Sequence, residues 1–457
     1  MLYQWVAGHL EKPDNRRLRK HMPRYKITTL GCKVNQAESD AIAKELESCG
    51  WLPAGDKEAS ELFIVNTCTV TQKASMQSRQ AVRQAIRAHS NCRIVVTGCY
   101  AQTEPETIRK IKGIHYIIGN ADKHRIARII AADRSKANGQ TVTICNDIRQ
   151  MQSINPALTG FAGSRSRPFL KIQDGCNSYC SYCIVPYARG PSRSLAAENV
   201  LQAITTLANA GYREIVLSGV HLGHYGRDLN PAIGLSELLQ RIERLNTFVR
   251  VRVSSIEPLE LTDDLICCVA GSSRFCDHFH IPLQSGDDFI LKKMRRPYRA
   301  VDFSSLVAKI RCRMPDAAIG LDALIGFPAE TDQAFMHTYE LIRDLPISYL
   351  HVFPFSVRPG TPAARWSDQV APKVIKKRCA QLRDLGKTKR LNFYKQFLGK
   401  QLEVLVEATR HAPSGLLKGL SSNYIPVLIE ADDDHKNQLR MVRVEKLVGN
   451  TLVGSFL

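Results

Sequence analysis

Strand-length apolar runs alternate with helical segments from Tyr25 onward, and this alternation constrains the fold more than any other feature of the sequence. The runs YKITTLG, ELFIVNT and CRIVVTG are separated by the helical segments QAESDAIAKELESCG and KASMQSRQAVRQAIRAH. Strands that alternate with helices form mostly parallel sheets. The sequence therefore predicts an α/β fold whose N-terminal region contains a parallel sheet.

A cysteine follows each of these three runs. Cys32, Cys68 and Cys99 lie in the similar contexts TTLGCKVNQ, IVNTCTV and VVTGCYAQ. Because the carboxyl ends of parallel strands meet at one edge of a sheet, we expect these residues, here called the N-terminal cysteine triad, to converge. Buried structural cysteines are the alternative, since free cysteine is common in cores. Their placement after three successive strands favours a metal cluster with three protein ligands.

A second group of cysteines lies within the single stretch QDGCNSYCSYCIVPYARG. Cys176, Cys180 and Cys183, here called the loop cysteine triad, have the spacing C-x3-C-x2-C, and the next histidines, His221 and His224, come much later in the chain. Structural zinc sites are closed by four protein ligands. A [4Fe–4S] cluster held by three thiolates keeps one iron open for another ligand. The spacing therefore favours an iron–sulfur cluster over zinc.

The remainder of the chain predicts two further folding units. The strand RPFLKIQDG, just before the loop cysteine triad, begins a series of five or six strand–helix units. Such a series predicts a parallel barrel or part of one. The last ~60 residues alternate like short antiparallel strands, which predicts a small β-barrel of a type that binds RNA. The predicted organisation is a basic arm at 1–23, a cluster domain at 24–148, a linker at 149–166, a barrel domain at 167–396 and an RNA-binding β-barrel at 397–457.

The net charge of +20 predicts a polyanionic partner, most commonly nucleic acid. Two basic segments stand out. Arg79, Arg83 and Arg87 share one face of a predicted helix, and nine Lys or Arg residues lie between Lys373 and Lys395 with one acid. Solvated helix faces are the alternative for either segment alone. Their recurrence favours contacts with phosphates.

Composition also predicts the compartment. The apolar runs are far shorter than a membrane span, and the charged N-terminus lacks the apolar stretch of a signal peptide. We therefore expect a cytoplasmic protein without a membrane partner. Fourteen cysteines in such a chain favour metal or redox chemistry over a disulfide framework.

The loop cysteine triad resembles the signature of radical S-adenosylmethionine (SAM) enzymes. That resemblance implies that SAM binds the open iron and that Tyr182 packs near its adenine. It further implies that Ser218 and Gly219 lie near the methionine amine of SAM, and that Ser255 and Gly326 line its ribose and adenine. Ordinary βα turns are the alternative for the serines and glycines taken alone.

With both triads, residues 25–457 resemble the methylthiotransferase family of radical SAM enzymes. Further matches are HIPLQSGDDFILKKMRRPY, GFPAETDQAF and VFPFSVRPGTPAA. The stretch GCKVNQAESD looks most like the branch that acts on N6-threonylcarbamoyladenosine at position 37 of tRNA. The branch acting on isopentenyladenosine has Gln-Met where this chain has Lys33 and Val34. The other eight cysteines match no ligand of the family and are interpreted as structural.

The resemblance implies a complete set of cofactors and partners. It implies an N-terminal α/β cluster domain, a partial radical SAM (β/α) barrel, a C-terminal β-barrel of the TRAM type, two [4Fe–4S] clusters and SAM. The implied reaction places a methylthio group on carbon 2 of the modified adenine of a tRNA anticodon loop. A reducing partner such as flavodoxin or ferredoxin would supply electrons, and a monomer is expected. The alternatives are methylthiolation of isopentenyladenosine-37 or of a ribosomal protein aspartate, and a non-enzymatic, zinc-binding RNA protein.

Overall fold

The computed structural model describes residues 22–55, 58–89, 91–132, 140–155, 161, 163 and 165–457. The predicted basic arm therefore lies almost entirely outside the described residues, as do parts of the predicted linker. Within the described residues, no helix combines the length and the apolar character that crossing a membrane requires.

The N-terminal part forms a six-stranded, fully parallel sheet with the strand order β2-β1-β3-β4-β5-β6. Two separate apolar cores lie on its faces, one beneath α1 and α5 and the other beneath α2, α3 and α4. The predicted parallel sheet is confirmed. Its elements are β1 Arg24–Thr29, α1 Lys33–Ser48, β2 Leu52–Pro53, β3 Leu62–Thr67, α2 Gln72–Ala88, β4 Arg93–Gly98, α3 Cys99–Thr103, α4 Pro105–Arg109, β5 Tyr116–Ile118, α5 Ile126–Ala132 and β6 Val142–Ile144.

The middle part contains six parallel strands in chain order around one large apolar core. They form the sheets β11-β10-β7 and β12-β13-β14, which meet where Val251 pairs with Phe275. This open arrangement confirms the predicted partial barrel. Its elements are β7 Phe169–Lys171, β8 Gln173–Asp174, α6 Val185–Arg189, β9 Arg193–Ser194, α7 Ala197–Asn209, β10 Glu214–Ser218, α8 Leu235–Glu243, β11 Arg250–Val253, α9 Asp263–Ala270, β12 His278–Gln284, α10 Asp288–Lys293, α11 Ala300–Arg313, β13 Ala318–Ile325, α12 Asp332–Asp344, β14 Tyr349–Pro354 and α13 Pro372–Lys395.

The C-terminal part is a closed five-stranded barrel with the order β15-β16-β17-β19-β18. Its interior is filled by residues such as Val404, Val427 and Val442, which are fully buried. The predicted small β-barrel is confirmed. The strands are β15 Gln401–Arg410, β16 Leu417–Ser421, β17 Pro426–Ile429, β18 Leu439–Val448 and β19 Thr451–Phe456.

A buried ion cluster joins the C-terminal barrel to the partial barrel. Glu214 on β10 is fully buried and accepts hydrogen bonds from Arg250 and Arg252 of β11. These guanidinium groups also donate to the backbone carbonyl oxygens of Leu420 and Ser421 on β16, at 3.0 and 2.9 Å. Burial alone would raise the pKa of Glu214, but the charges of Arg252 and Arg250 outweigh it and hold the pKa at about 2.

A second buried ion cluster joins the N-terminal sheet to the partial barrel. Glu38 on α1 accepts hydrogen bonds from Lys123, from Lys171 on β7 and from Arg189 on α6. Arg189 also donates to Asp174, at 2.8 Å. Burial would raise the pKa of Glu38, yet the surrounding cations, Arg189 first, lower it well below its usual range. The carboxylate therefore stays ionised, and the cluster fixes α1 against the loop that carries the loop cysteine triad.

Candidate active site at the two cysteine triads

The N-terminal cysteine triad lies at the carboxyl ends of three adjacent strands. Cys68 and Cys99 directly follow β3 and β4, and Cys32 lies three residues beyond β1. Gly31 has a φ of +101°, and a Cβ placed on it would lie 3.0 Å from the sulfur of Cys68. The turn after β1 therefore passes directly over Cys68, as the expected convergence of these cysteines requires.

The side-chain amide of Asn35 holds two of these turns together. Asn35, in the first turn of α1, donates hydrogen bonds to the carbonyl oxygens of Leu30 and Thr67, at 2.8 and 3.0 Å. The turn before Cys99 needs glycine, because Gly98 has a φ of +99° and an added Cβ would lie 2.3 Å from the Thr67 carbonyl oxygen. The backbone of each turn is thus fixed by its neighbour, which sets the directions of the sulfur atoms.

The loop cysteine triad follows β8, near the carboxyl end of the first barrel strand. Here the structure adds a contact that the sequence spacing does not show. The Nδ1 atom of His221 lies 3.2 Å from the sulfur of Cys176, and its Nε2 atom lies 2.6 Å from Glu260. A guanidinium nitrogen of Arg296 lies 3.5 Å from the sulfur of Cys180.

The two triads open onto adjoining cavities. The N-terminal cysteine triad lines a cavity of about 490 Å³, and the loop cysteine triad lines one of about 390 Å³. The two cavities share part of their walls, so the two triads open onto adjoining space. The shared residues are Val70, Ile184, Val185, Val220, Ser255, Asp322 and Phe353.

The residues that the resemblance assigns to SAM lie at different positions around these cavities. Tyr182 lines the cavity of the loop cysteine triad, and Ser255 lines both cavities. Ser218 and Gly219 line the cavity of the N-terminal cysteine triad. Gly326 is not among the described residues that line either cavity. A Cβ on Gly326 would lie 2.3 Å from Cγ1 of Ile375 in α13, so the approach of this helix requires glycine there.

The thiols show the effects of burial and of their neighbours. Burial raises the pKa of Cys68 and of Cys183 to about 12. Burial would also raise the pKa of Cys176, but the hydrogen bond to His221 outweighs it and lowers this pKa. The pKa of His221 is raised to about 10, because hydrogen bonds to Cys176 and Glu260 outweigh its burial. Metal binding deprotonates such thiols outright.

Each triad fits an iron–sulfur cluster. Three soft sulfur donors face a cavity, which is the donor set that such clusters use. Two other groups of nitrogen and oxygen ligands could hold a divalent cation, since their ligand atoms lie within 4.8 Å of one another. Hydrogen bonds and ion pairs already join the members of each group. These groups are His221, His224 and Glu260, and His280, Asp322 and His351.

A polar and aromatic wall of the larger cavity was missed from the sequence. Asp322 on β13 lies 2.9 Å from Nε2 of His280 and 3.2 Å from Nδ1 of His351. Burial would raise the pKa of Asp322, but hydrogen bonds from the two histidines lower it, so the carboxylate is ionised. The signal was His278 and His280, which alternate with apolar residues in the strand DHFHIPL and so point to one side of it.

The C-terminal barrel contributes to the same wall. Tyr424 lines the cavity, and its ring stacks on His278 with centroids 4.4 Å apart. Tyr424 has a φ of 62°, a left-handed conformation that residues other than glycine rarely adopt. The loop between β16 and β17 holds this conformation through a hydrogen bond from the Tyr424 amide to the Ser421 carbonyl oxygen, at 3.1 Å. No sequence pattern indicated this residue, because it comes from another folding unit.

The two basic segments are helical, and most of their charges are exposed. Arg83 and Arg87 are exposed, whereas Arg79 is partly buried and donates to the hydroxyl of Tyr100, at 2.7 Å. In α13, Arg378 is buried and pairs with Glu330, at 2.7 Å. These two arginines therefore have structural partners, while residues such as Lys376 remain exposed on α13.

Two family models match the chain. Residues 24–119 match "Uncharacterized protein family UPF0004", and residues 170–342 match the radical SAM superfamily. Among solved structures, the radical SAM methyltransferase TsrM from Kitasatospora setae has a TM-score of 0.55 and 17% identity, and the match covers 75% of each chain. At this identity the likeness shows the fold alone. The superfamily match supports an iron–sulfur cluster and SAM as cofactors.

Curated relatives match over nearly the whole chain. The threonylcarbamoyladenosine tRNA methylthiotransferase of Bacillus subtilis (strain 168) is 37% identical, over 92% of this chain and 93% of the relative. The enzyme of the same name from Aquifex aeolicus (strain VF5) is 33% identical, over 91% and 98%. The tRNA-2-methylthio-N(6)-dimethylallyladenosine synthase of Pelotomaculum thermopropionicum is 32% identical, over 90% and 92%. The chain therefore belongs to the radical SAM methylthiotransferase family.

Proposed function

We propose that this protein transfers a methylthio group to carbon 2 of N6-threonylcarbamoyladenosine at position 37 of tRNA. One observation carries the proposal: two cysteine triads from different folding units open onto adjoining cavities that share seven wall residues. Carbon 2 of adenine bears an unactivated C–H bond, which acid–base groups alone cannot replace with sulfur. A site that brings two metal clusters to one substrate supplies the chemistry that this replacement requires.

We assign one [4Fe–4S] cluster to each triad. When bound, the two clusters and SAM supply the sulfur, the methyl group and the radical. The chain's own residues hold these groups and exclude water. The N-terminal cysteine triad lies in turns fixed by Gly31, Asn35 and Gly98. The loop cysteine triad is held beside it by the buried pair of Glu38 and Arg189.

SAM is assigned to the region between the triads. Tyr182 and Ser255 line the cavity of the loop cysteine triad, and Ser218 and Gly219 lie on the neighbouring wall. Among the residues assigned to SAM, we propose that Gly326 acts only by shaping the wall of the SAM site, because α13 packs directly against it.

The aromatic wall suits a base displaced from an RNA loop. Proteins recognise unstacked RNA bases by stacking them on aromatic side chains, and Tyr424 and His278 present such rings in the cavity. The exposed charges of α13 and the C-terminal barrel, of the proposed TRAM type, would contact the tRNA backbone.

We also assign domain limits, an electron donor, an oligomeric state and a compartment to this protein. The domain limits are 24–148, 149–166, 167–396 and 397–457, preceded by the arm at 1–23. A flavodoxin or ferredoxin would deliver the electrons, and the protein would act as a monomer in the cytoplasm.

Analysis of tRNA nucleosides from a strain without this protein tests the proposed function. Mass spectrometry should show that 2-methylthio-N6-threonylcarbamoyladenosine is lost and that its unmethylthiolated precursor accumulates. The wild-type gene should restore the product, and a C180A variant should not. Loss of the methylthio derivative of isopentenyladenosine instead would assign the protein to the other substrate, and an unchanged nucleoside profile in a strain lacking a second such enzyme would refute the proposal.

A further inference from the structure

Lys33 occupies a distinctive position at the larger cavity. It is the first residue of α1, directly after Cys32, and its half-buried side chain lines the cavity together with His278, Tyr349 and Tyr424. The side chain therefore lines the same cavity as the N-terminal cysteine triad and the aromatic wall, the cavity that we propose binds the base.

Lys33 differs from the neighbouring cations, because no carboxylate among the described residues pairs directly with it. Arg250 and Arg252 pair with Glu214, and Arg167 pairs with Glu407 at 2.8 Å. Within the described parts of the chain, no hydrogen bond or ion pair joins Lys33 to a carboxylate. Buried and half-buried charges are normally paired, because desolvation of a lone charge is costly.

The nearby cations on the other side of the site are paired as well. Lys123, Lys171 and Arg189 all contact Glu38. The carboxylate on the cavity wall, Asp322, is bonded to His280 and His351 rather than to Lys33. Among the described residues that line the cavity, Lys33 thus presents an ammonium group that no carboxylate pairs with, so a bound anion could pair with it.

The proposed substrate carries the matching charge close to the reacting carbon. In N6-threonylcarbamoyladenosine, threonine is linked through its amino nitrogen, so its carboxylate is free and negatively charged. Only N1 and C6 of the ring separate carbon 2 from N6. When carbon 2 reaches the N-terminal cysteine triad, the N6 substituent must lie beside it, where Lys33 stands.

We propose that Lys33 binds the free carboxylate of the threonylcarbamoyl group and so selects this substrate over adenosines without that charge. The inference rests on the proposed function and deepens it by naming the residue that reads the N6 substituent. Stacking on the aromatic wall does not distinguish these adenosines, because every base offers a face for stacking. Selection therefore depends on the ammonium group.

The test measures binding of three anticodon stem–loop RNAs by anaerobically prepared, cluster-loaded protein. The RNAs carry at position 37 either N6-threonylcarbamoyladenosine, its threonyl methyl ester, or adenosine. Wild-type protein should bind the first RNA roughly ten- to a hundredfold more tightly than the ester, the range expected for one charge-assisted hydrogen bond. The ester and the adenosine RNA should bind with similar affinity.

Variants of Lys33 test whether this residue is the source of the preference. K33Q should lose the preference for the free carboxylate and bind the ester as wild-type protein does, while K33R should retain most of the preference. K376Q changes a residue on the exposed face of α13 and should weaken the binding of all three RNAs equally. Iron and sulfide content must match wild type for each variant, since Lys33 adjoins Cys32.

Two results would overturn the inference. One is cluster-loaded wild-type protein that binds the free acid and the ester equally, a measurement that does not depend on how well any variant folds or loads its clusters. The other is a K33Q protein that binds all three RNAs more weakly and to the same extent, which would mean that Lys33 contacts a backbone phosphate. Failure of wild-type protein to methylthiolate the first RNA would instead refute the proposed function.

Discussion

At the scale of single residues, the turns after β1, β3 and β4 determine where three sulfur atoms lie. Gly31 and Gly98 both have positive φ and are in close contact with the neighbouring turn, so neither position accepts a side chain without displacement. Asn35 bridges the first two turns through its amide nitrogen. The backbone geometry of these turns therefore preorganises the N-terminal cysteine triad.

Replacing Cys68 by Ala should abolish methylthiolation while some reductive cleavage of SAM continues. The reason is that the loop cysteine triad remains intact in this variant. Iron content should fall from about eight to about four atoms per chain, the value for one remaining four-iron cluster. Iron and sulfide assays, with chromatography of the 5′-deoxyadenosine released, measure both effects.

Cys92 provides the matched control for this substitution. It is also buried, but it lies in a core between the sheet and α2 and contacts Ser60. C92A should keep both the full iron content and product formation. If C68A still formed the full amount of product, the assignment of a cluster to the N-terminal cysteine triad would be wrong.

Gly31→Ala should reduce cluster loading. An alanine Cβ would lie 2.9 Å from Cβ of Cys68 and 3.0 Å from its sulfur, in addition to the left-handed strain of about 1–2 kcal/mol. Gly50→Ala is the control, because Gly50 has a φ of +85° and no atom lies within 4 Å of an added Cβ. Both variants should lose stability in thermal unfolding, but only G31A should lose iron; equal iron content in the two would contradict the argument.

At the scale of elements, two buried ion clusters set the positions of α1, β11 and β16 around the site. Their sequence signals are weak, since a glutamate in a helix or strand usually faces solvent. The sequence did predict where the cysteines converge, because the rule that parallel strand ends share an edge needs only the strand assignments. The sequence could not predict that Tyr424 lines the cavity, because its position depends on how the C-terminal barrel docks through Arg250 and Arg252.

Glu214→Gln should loosen the C-terminal barrel. Removing one partner of a buried ion cluster leaves two guanidinium groups without a full counterion, which typically costs about 3–5 kcal/mol. Because the pKa of Glu214 is held at about 2, below its unfolded value, its stabilisation is present above about pH 4.5 and is lost as the pH falls toward 2. Thermal unfolding at neutral pH and protease cleavage near α13 measure the loss.

Glu198→Gln is the control for this variant. Glu198 is exposed and pairs with Arg241 only at 3.4 Å, and such surface pairs contribute about 0–1 kcal/mol. The E198Q protein should therefore unfold at the wild-type temperature. An E214Q protein as stable as E198Q would show that the buried ion cluster does not fasten the barrel.

At the scale of the whole molecule, the charge of +20 is distributed unevenly over the structure. Arg378 is neutralised inside the fold, while Lys373, Lys376 and Lys377 are exposed at the start of α13. The sequence predicted this basic segment but not which of its charges are free. That distinction depends on where α13 packs against the segment before α12 that carries Glu330, which only the assembled fold shows.

Lys376→Gln combined with Lys377→Gln should weaken tRNA binding and flatten its salt dependence. Each lost phosphate contact should reduce the slope of log affinity against log salt by roughly 0.7–0.9. Binding titrations at several salt concentrations measure the slope. K309Q is the control, because Lys309 is on α11 and pairs with Asp263; a change of slope in K309Q equal to that of the double variant would exclude a specific role for α13.

The central claim is that the two cysteine triads of one chain act on one base in the adjoining cavities that they line. The most direct test mixes the C68A and C180A proteins, each of which keeps one intact triad, with SAM, reductant and the RNA containing N6-threonylcarbamoyladenosine. Wild-type protein should convert this RNA to its 2-methylthio form, and the mixture should form no more product than either variant alone. Product from the mixture at a level near that of wild type would show that the two triads need not belong to one chain, and would contradict the account.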